Sequence, residues 1–298
     1  MDIALVILPD FLLIVIGLVL ARRFGYERGF WEGLEKLVYY VLFPALLFRS
    51  LATGKLDYAT ALPMIAVAWG FTIAGMLLAA LARPLFRPDA TTAATCFQCG
   101  FRFNTYIGLA LAASLYGTEG VTLLAVVVGA MIPLANFGAV AALARHGGHN
   151  FWLELARNPL VVSTLAGFAW NAAGLPVPGA ADHTLQLLAQ TALPAGLLSV
   201  GAALRIEPGY GPWPAHAWWL FVKLAALPLV AWGLAQALGL GPMPTALLVL
   251  TAALPTASSA YVLAVRMAGE GRAVATQITL GTLASMLTIP FWISLLAR

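Results

Sequence analysis

The stretch 98-QCGFRFNTYIGLA-110 puts an arginine, an asparagine and two glycines inside an apolar run, 91–115, of membrane-spanning length. What surrounds it decides how those residues are read. The chain has 298 residues, 61% hydrophobic and 9% charged, with a mean hydropathy of +0.90. Soluble domains average about 25% charged and about 45–50% apolar residues. So few charges cannot cover a chain of this length with a polar surface, so the composition gives an all-α polytopic membrane protein.

The first segment, IALVILPDFLLIVIGLVLARR, lacks a basic leading region and a small-residue cleavage site. It is expected to be a retained helix and not a signal peptide. The formal net charge of +4 falls mostly on connections between spans and calls for no nucleic-acid partner. Neither a long soluble loop nor a further domain is expected. Cys96 and Cys99 share a helix face as a single CxxC, without the second pair of a zinc site. They read as small packing residues, and no metal or cofactor is expected.

Apolar runs of about 20 residues fall near 3–21, 34–52, 62–82, 91–115, 120–144, 159–174, 184–204, 215–238, 244–266 and 273–297. This predicts ten transmembrane helices. Arg22, Arg23, Arg28, Arg83, Arg87, Arg145, Arg157, Arg205, Arg266 and Arg272 all lie in odd-numbered connections, whereas the even ones hold Lys55 and almost nothing else basic. The positive-inside rule then puts both termini outside.

A shift of 150 positions sets Pro9 on Pro159, Gly17 on Gly167, Pro44-Ala45 on Pro194-Ala195 and Trp69 on Trp219. It also sets Lys55-Leu56-Asp57 on Arg205-Ile206-Glu207. Two halves, 1–149 and 150–298, with five spans each would enter the membrane from opposite sides, the inverted-repeat plan of many secondary transporters.

In that plan the substrate site lies at the midplane, where equivalent helices are broken. The equivalent spans here are the fourth and ninth. A shift of 151 lays Asn104-Thr105 on Pro255-Thr256. Gly100 loosens the fourth span and Asn104 offers its side chain to the backbone; Pro255 removes a hydrogen bond from the ninth. Two half-helix N-termini would direct amides at one place, which suits an anion. Arg102 adds a full charge whose insertion costs roughly 2.5–3.5 kcal/mol; with no carboxylate close by in the sequence, the substrate is expected to supply the negative charge. The competing readings are a snorkelling or carbonyl-bound Arg102, an interhelical hydrogen bond from Asn104, and plain packing for Ser258 and Ser259.

Ten spans in two halves, Asn104-Thr105-Tyr106 after one break, and Leu254-Pro255-Thr256-Ala257 with Tyr261-Val262-Leu263-Ala264 at the other resemble the auxin efflux carrier family over the whole chain. That family includes plant PIN-formed auxin carriers and bacterial permeases for malonate and other organic acids. The resemblance implies a scaffold from spans 1, 2, 6 and 7, a transport domain from spans 3–5 and 8–10, crossed fourth and ninth helices, an elevator-type movement and a homodimer. The plant motif reads Asn-Pro-Asn-x-Tyr; Arg102-Phe103-Asn104-Thr105-Tyr106 keeps the second Asn and the Tyr. Arg102 and Phe103 depart from it and favour a more strongly charged substrate than auxin, such as a small carboxylate. The long loop of many plant members is absent, Arg145 to Asn158 alone joining the halves.

The expected substrate-binding set is therefore Arg102, Asn104, Thr105, Tyr106, Pro255, Thr256, Ser258 and Ser259, with Gly100, Asn104 and Pro255 as helix breakers. Lys223, inside the eighth span, either joins a second carboxylate, forms a support site or snorkels past Trp218 and Trp219. Arg49 is expected to snorkel to the outer interface. Pro44 and Pro194 read as matched kinks, and Asp10 as a weak site for proton coupling. His146, His149, His183 and His216 all fall in or beside loops. HExxH and P-loop patterns are absent. The function expected is secondary transport of a small organic anion across a bacterial inner membrane, with sodium or proton coupling left open. A membrane-embedded enzyme would need more intramembrane acids or histidines, and a channel a polar stripe along several spans.

Overall fold

The computed structural model describes residues 3–55, 57–143, 156–205 and 213–296. Among these residues every regular element is a helix. In chain order they are α1 (Ile3–Arg23), α2 (Arg28–Leu37), α3 (Phe43–Thr53), α4 (Tyr58–Ala80), α5 (Ala82–Phe86), α6 (Ala90–Cys96) and α7 (Thr105–Leu143). Then follow α8 (Pro159–Ala172), α9 (Gly179–Ala203), α10 (Trp213–Phe221), α11 (Leu227–Ala237), α12 (Pro242–Ala253), α13 (Ser259–Arg266) and α14 (Gly271–Leu296). Among the described residues, seven helical stretches are long and apolar enough to cross a membrane. The expectations at Arg145, His146, His149, the 149/150 junction, Leu56, Ile206 and Glu207 lie outside the described residues.

Local irregularities follow from particular residues. π-turns at Val38–Leu42 and Val222–Ala226 each run into a proline, Pro44 and Pro228. A proline has no N–H for the carbonyl four residues back, so the ladder there must shift. Leu224 would have been served by residue 228; the indole Nε1 of Trp292 donates to its carbonyl instead, at 2.9 Å. Within α7, Gly117 adopts φ +60°, a left-handed value natural to glycine, and divides the element.

The chain forms two compact units. The first comprises Met1–Ala61, Tyr106–Gly129 and Trp152–Ala203. In it α1 packs along α9, and α3 along α8. Glycines set the closeness of both pairs: a Cβ on Gly17 would run into the Leu198 backbone, one on Gly201 into that of Ile14, and one on Gly167 would lie 2.9 Å from the Phe48 carbonyl. Lipid removes most of the hydrophobic drive between helices, so such backbone approach is what helix association rests on. Asn171 donates to the carbonyls of Leu51, Ala52 and Gly54 at 2.9, 3.3 and 2.9 Å, satisfying the end of α3. Ser114 donates to the Asp10 carboxylate at 2.7 Å. Arg49 does not simply snorkel: α3 lies beside α9, and the guanidinium forms a two-pronged pair with Asp182 at 2.7 and 3.1 Å.

The second unit comprises Leu62–Thr105, Ala130–Phe151 and Leu204–Arg298. Its helix ends are served by indoles: Trp218 and Trp219 donate to the carbonyls of Leu78 and Ala79 at 2.8 and 3.1 Å, closing α4. Trp69 donates to the Ala130 carbonyl at 2.9 Å, just before Pro133 in α7. Phe101 packs with Ala135 and Ala139 of α7, flanked by Met76, Phe97 and Leu263. His216, expected in or beside a loop, lies near the start of α10. It is fully buried in α10, where Gln277 of α14 lies 2.8 Å from its Nδ1 and donates to its carbonyl at 3.0 Å. The ring sits against Trp213 and Trp219, which is why a histidine next to a loop in sequence is withdrawn from water.

Candidate functional site in the second unit

The first break is built from α6 outward. Asp89 caps that helix by accepting from the Thr92 N–H at 2.9 Å. The Thr92 hydroxyl, aided by the backbone N–H groups of Thr92 and Thr91, holds this carboxylate below its ordinary range. After Cys96 the helix tightens into a 3-10 turn, Phe97–Gly100, and stops. Gly100 is required by close approach: a Cβ there would lie 2.6 Å from that of Ala79 on α4. Phe101 then takes φ −140°, ψ −19°, and residues 101–104 are non-helical until α7 restarts at Thr105.

The second break follows α12. Leu254 turns extended at ψ 141°, Pro255 has no N–H to continue the ladder, and α13 restarts at Ser259. The carbonyl of Ala252, on the last turn of α12, receives the Lys223 ammonium at 2.8 Å. Lys223 itself is 2% exposed, in the π-turn between α10 and α11. Snorkelling past Trp218 and Trp219 is thereby replaced by a contact that places a cation at a helix C-terminus, where the dipole favours it.

Several hydrogen bonds join the two breaks. The Asn104 N–H donates to the Pro255 carbonyl at 2.8 Å. Thr256 donates its hydroxyl to the Cys99 carbonyl at 3.0 Å, and the Gln98 amide donates to the Ala260 carbonyl at 3.2 Å. Arg102 spans the same junction. Its guanidinium donates to Gln98 Oε1 at 2.9 Å, Asn136 Oδ1 at 3.1 Å and Ser259 Oγ at 3.2 Å. Strands of broken backbone in lipid need such partners, because each unsatisfied group costs several kcal/mol.

Of the residues expected at a site, Gly100, Arg102, Asn104, Pro255, Thr256 and Ser259 are thus brought into one hydrogen-bonded junction. Thr105, buried, opens α7, and Ser258, half-buried, ends the second break. Tyr106 belongs to the first unit, where its ring stacks on Phe43 with centroids 4.3 Å apart. Lys223 bonds none of the others among the described residues. Cys96 and Cys99 are buried free thiols, and the Cys99 carbonyl contributes to the junction. Gln98 and Asn136 were not singled out from sequence. Each is a polar side chain within an apolar run, and Gln98 stands one helical turn before Arg102; that spacing was the available signal.

Comparison with known proteins adds a family. The profile of the family described as "Membrane transport protein" matches residues 3–137 and 143–293. Among similar curated proteins, one named "Putative malonate transporter" from Rhizobium meliloti is 26% identical over 297 residues, covering 95% of this chain and 92% of that one. An uncharacterized transporter from Methanothermobacter thermautotrophicus is 24% identical over 297 residues, with 98% and 95% covered. The uncharacterized transporter YfdV of Escherichia coli K12 is 23% identical over 301 residues, with 96% and 95% covered.

Proposed function

The chain belongs to the membrane transport protein family, of the auxin efflux carrier type, and on that premise we propose that it is a secondary carrier for a small organic anion, a carboxylate. The observation that carries this reading is the junction itself. Two broken helices meet there, and a guanidinium held by Gln98, Asn136 and Ser259 stands at the start of α13. A cation beside restarting helices, with serine hydroxyls at hand, is the equipment for binding a carboxylate. Arg102 gives the charge; Ser258 and Ser259 give hydroxyls; Thr256, whose proton goes to the Cys99 carbonyl, ties the two breaks together, and Asn104 and Pro255 interrupt the helices. The name of the Rhizobium protein makes a short dicarboxylate such as malonate the first compound to try.

The architecture we propose is ten spans in two inverted halves, 1–149 and 150–298. Among the described residues seven membrane-length helical stretches stand where ten spans are proposed, because Ala90–Leu143 runs 54 residues, two crossings long, while Pro159–Ala172 has 14 residues and the α12–α13 stretch is interrupted. A scaffold would comprise spans 1, 2, 6 and 7, and a moving part spans 3–5 and 8–10. The two compact units follow this partition for spans 1, 2, 6 and 7 and for spans 3 and 8–10, while residues 106–129, from spans 4 and 5, fall in the first unit. The junction lies wholly within the second unit, so it can travel as a body in an elevator-type cycle. Residence in a bacterial inner membrane with both termini outside, and a homodimer, complete the reading.

The test is thermal stabilisation of the purified protein by a panel of mono- and dicarboxylates and indole acids, on wild type and Arg102→Ala, with and without sodium. A carboxylate that raises the melting temperature of wild type and not of the variant supports the reading and names the substrate class. Equal stabilisation of both overturns the role of Arg102, and a sodium requirement identifies the coupling ion.

A further inference from the structure

Gln98 stands out among the residues around the junction. It is completely buried, yet it carries an uncharged amide with three hydrogen-bond partners on three separate segments. Its Nε2 donates to the Thr95 carbonyl on α6 and to the Ala260 carbonyl on α13, both at 3.2 Å. Its Oε1 accepts from the Arg102 guanidinium at 2.9 Å. The two carbonyls can only be served by the NH2 end, so the orientation of the amide is fixed and the oxygen is committed to the cation. Asn136 and Ser259 also accept from Arg102, but one is half-buried and the other exposed, and among the described residues the side chain of each hydrogen-bonds the cation alone.

We propose that Gln98 is the positioning residue of the site: it registers the Arg102 guanidinium to the start of α13, so that the cation presented to substrate depends on both breaks being in place. The proposal rests on the preceding reading that Arg102 meets the substrate anion. A neutral acceptor is what this position requires. A carboxylate here would face two carbonyls with no proton to offer them and would hold the arginine as an ion pair, competing with the substrate. An apolar side chain of the same length would remove the amide's bonds to the Thr95 and Ala260 carbonyls and let the guanidinium drift. A glutamine at 98 orients the cation without neutralising it.

The experiment compares wild type, Gln98→Glu and Gln98→Met for carboxylate affinity by calorimetry between pH 5.5 and 8.5, using a substrate fully ionised across that range. Wild-type affinity should be flat. Gln98→Glu should bind at least tenfold more weakly at pH 8.5 and recover as acid protonates the introduced carboxylate, a pH profile that a packing role would not create. Gln98→Met should bind at least tenfold more weakly at every pH, with a flat profile. Wild-type affinity and a flat profile in either folded variant would overturn the proposal. Hydrogen exchange of residues 259–266 supplies a readout that needs no substrate: Gln98→Met should speed it, and unchanged exchange would sink the idea. Should wild type bind no carboxylate at all, the anion reading falls, while the exchange comparison still decides whether Gln98 holds α13.

Discussion

The two helix breaks are stopped by different chemistry and put their cations to opposite uses. The first ends in a 3-10 turn at Gly100, pressed against α4, and carries Arg102 in its own irregular backbone, half-buried. The second ends at Pro255 and carries no charge of its own. Its cation, Lys223, comes from a neighbouring π-turn, is 2% exposed and is engaged by the Ala252 carbonyl. One cation is held at the break by three neutral side-chain oxygens. The other closes a helix end from within. The difference teaches that the presence of a buried cation near a break does not by itself assign it to substrate; what it is bonded to does.

The most severe way to break this comparison is at Lys223. Lys223→Ala removes a packed stem and leaves a buried helix-end carbonyl without its partner, for a loss of about 3 kcal/mol of stability. Thermal denaturation should show it, and carboxylate binding by whatever protein remains folded should keep its dependence on Arg102. A specific loss of ligand affinity with normal stability would instead place Lys223 at the substrate. Arg102→Ala should do the reverse. It should cost about 1.5–3 kcal/mol of ligand affinity, roughly 10- to 150-fold, with a smaller shift in melting temperature.

Gly100→Ala sharpens the account of the first break. The added methyl would meet Ala79 at 2.6 Å, and overpacking of this kind costs about 1–2 kcal/mol. Gly233→Ala, in α11 with open space around it, is the matched control and should be neutral or slightly stabilising. The smallest effect is at the exposed cap of α6. Asp89→Ala should cost about 0.5–1 kcal/mol near neutral pH. Because the folded protein holds this carboxylate low, the contribution is present above the ordinary aspartate range. It fades as pH falls through the lowered folded value, so wild type and variant should converge in acid. A difference that persists in acid would assign the cap to something other than the ionised carboxylate.

Much of this was legible before any coordinates. A 9% charge content dictates a membrane protein. Pro255 removes one intrahelical hydrogen bond wherever it falls inside a helix, since the missing N–H is a covalent fact. Arg102 in an apolar run demands partners for the same reason that lipid excludes it. Other features had no signature in one dimension. Nothing in sequence marks Asn171 for the end of α3, whose carbonyls it satisfies. His216 falls beside a loop, but nothing in sequence pairs it with Gln277, which α14 brings from 61 positions away.

Sequence by itself therefore determined the solvent this protein lives in, where its helices must fail, and which charge sits at the first failure, because these follow from side-chain solvation and backbone covalency at single positions. Only tertiary structure decided the partners. It joined Asn104 to Pro255 and Thr256 to Cys99, and it gave Arg102 to Gln98, Asn136 and Ser259 and Lys223 to Ala252. Hydrogen bonds are short-ranged and directional, so which donor meets which acceptor is set by the packing of distant segments and is written in no single stretch of the chain.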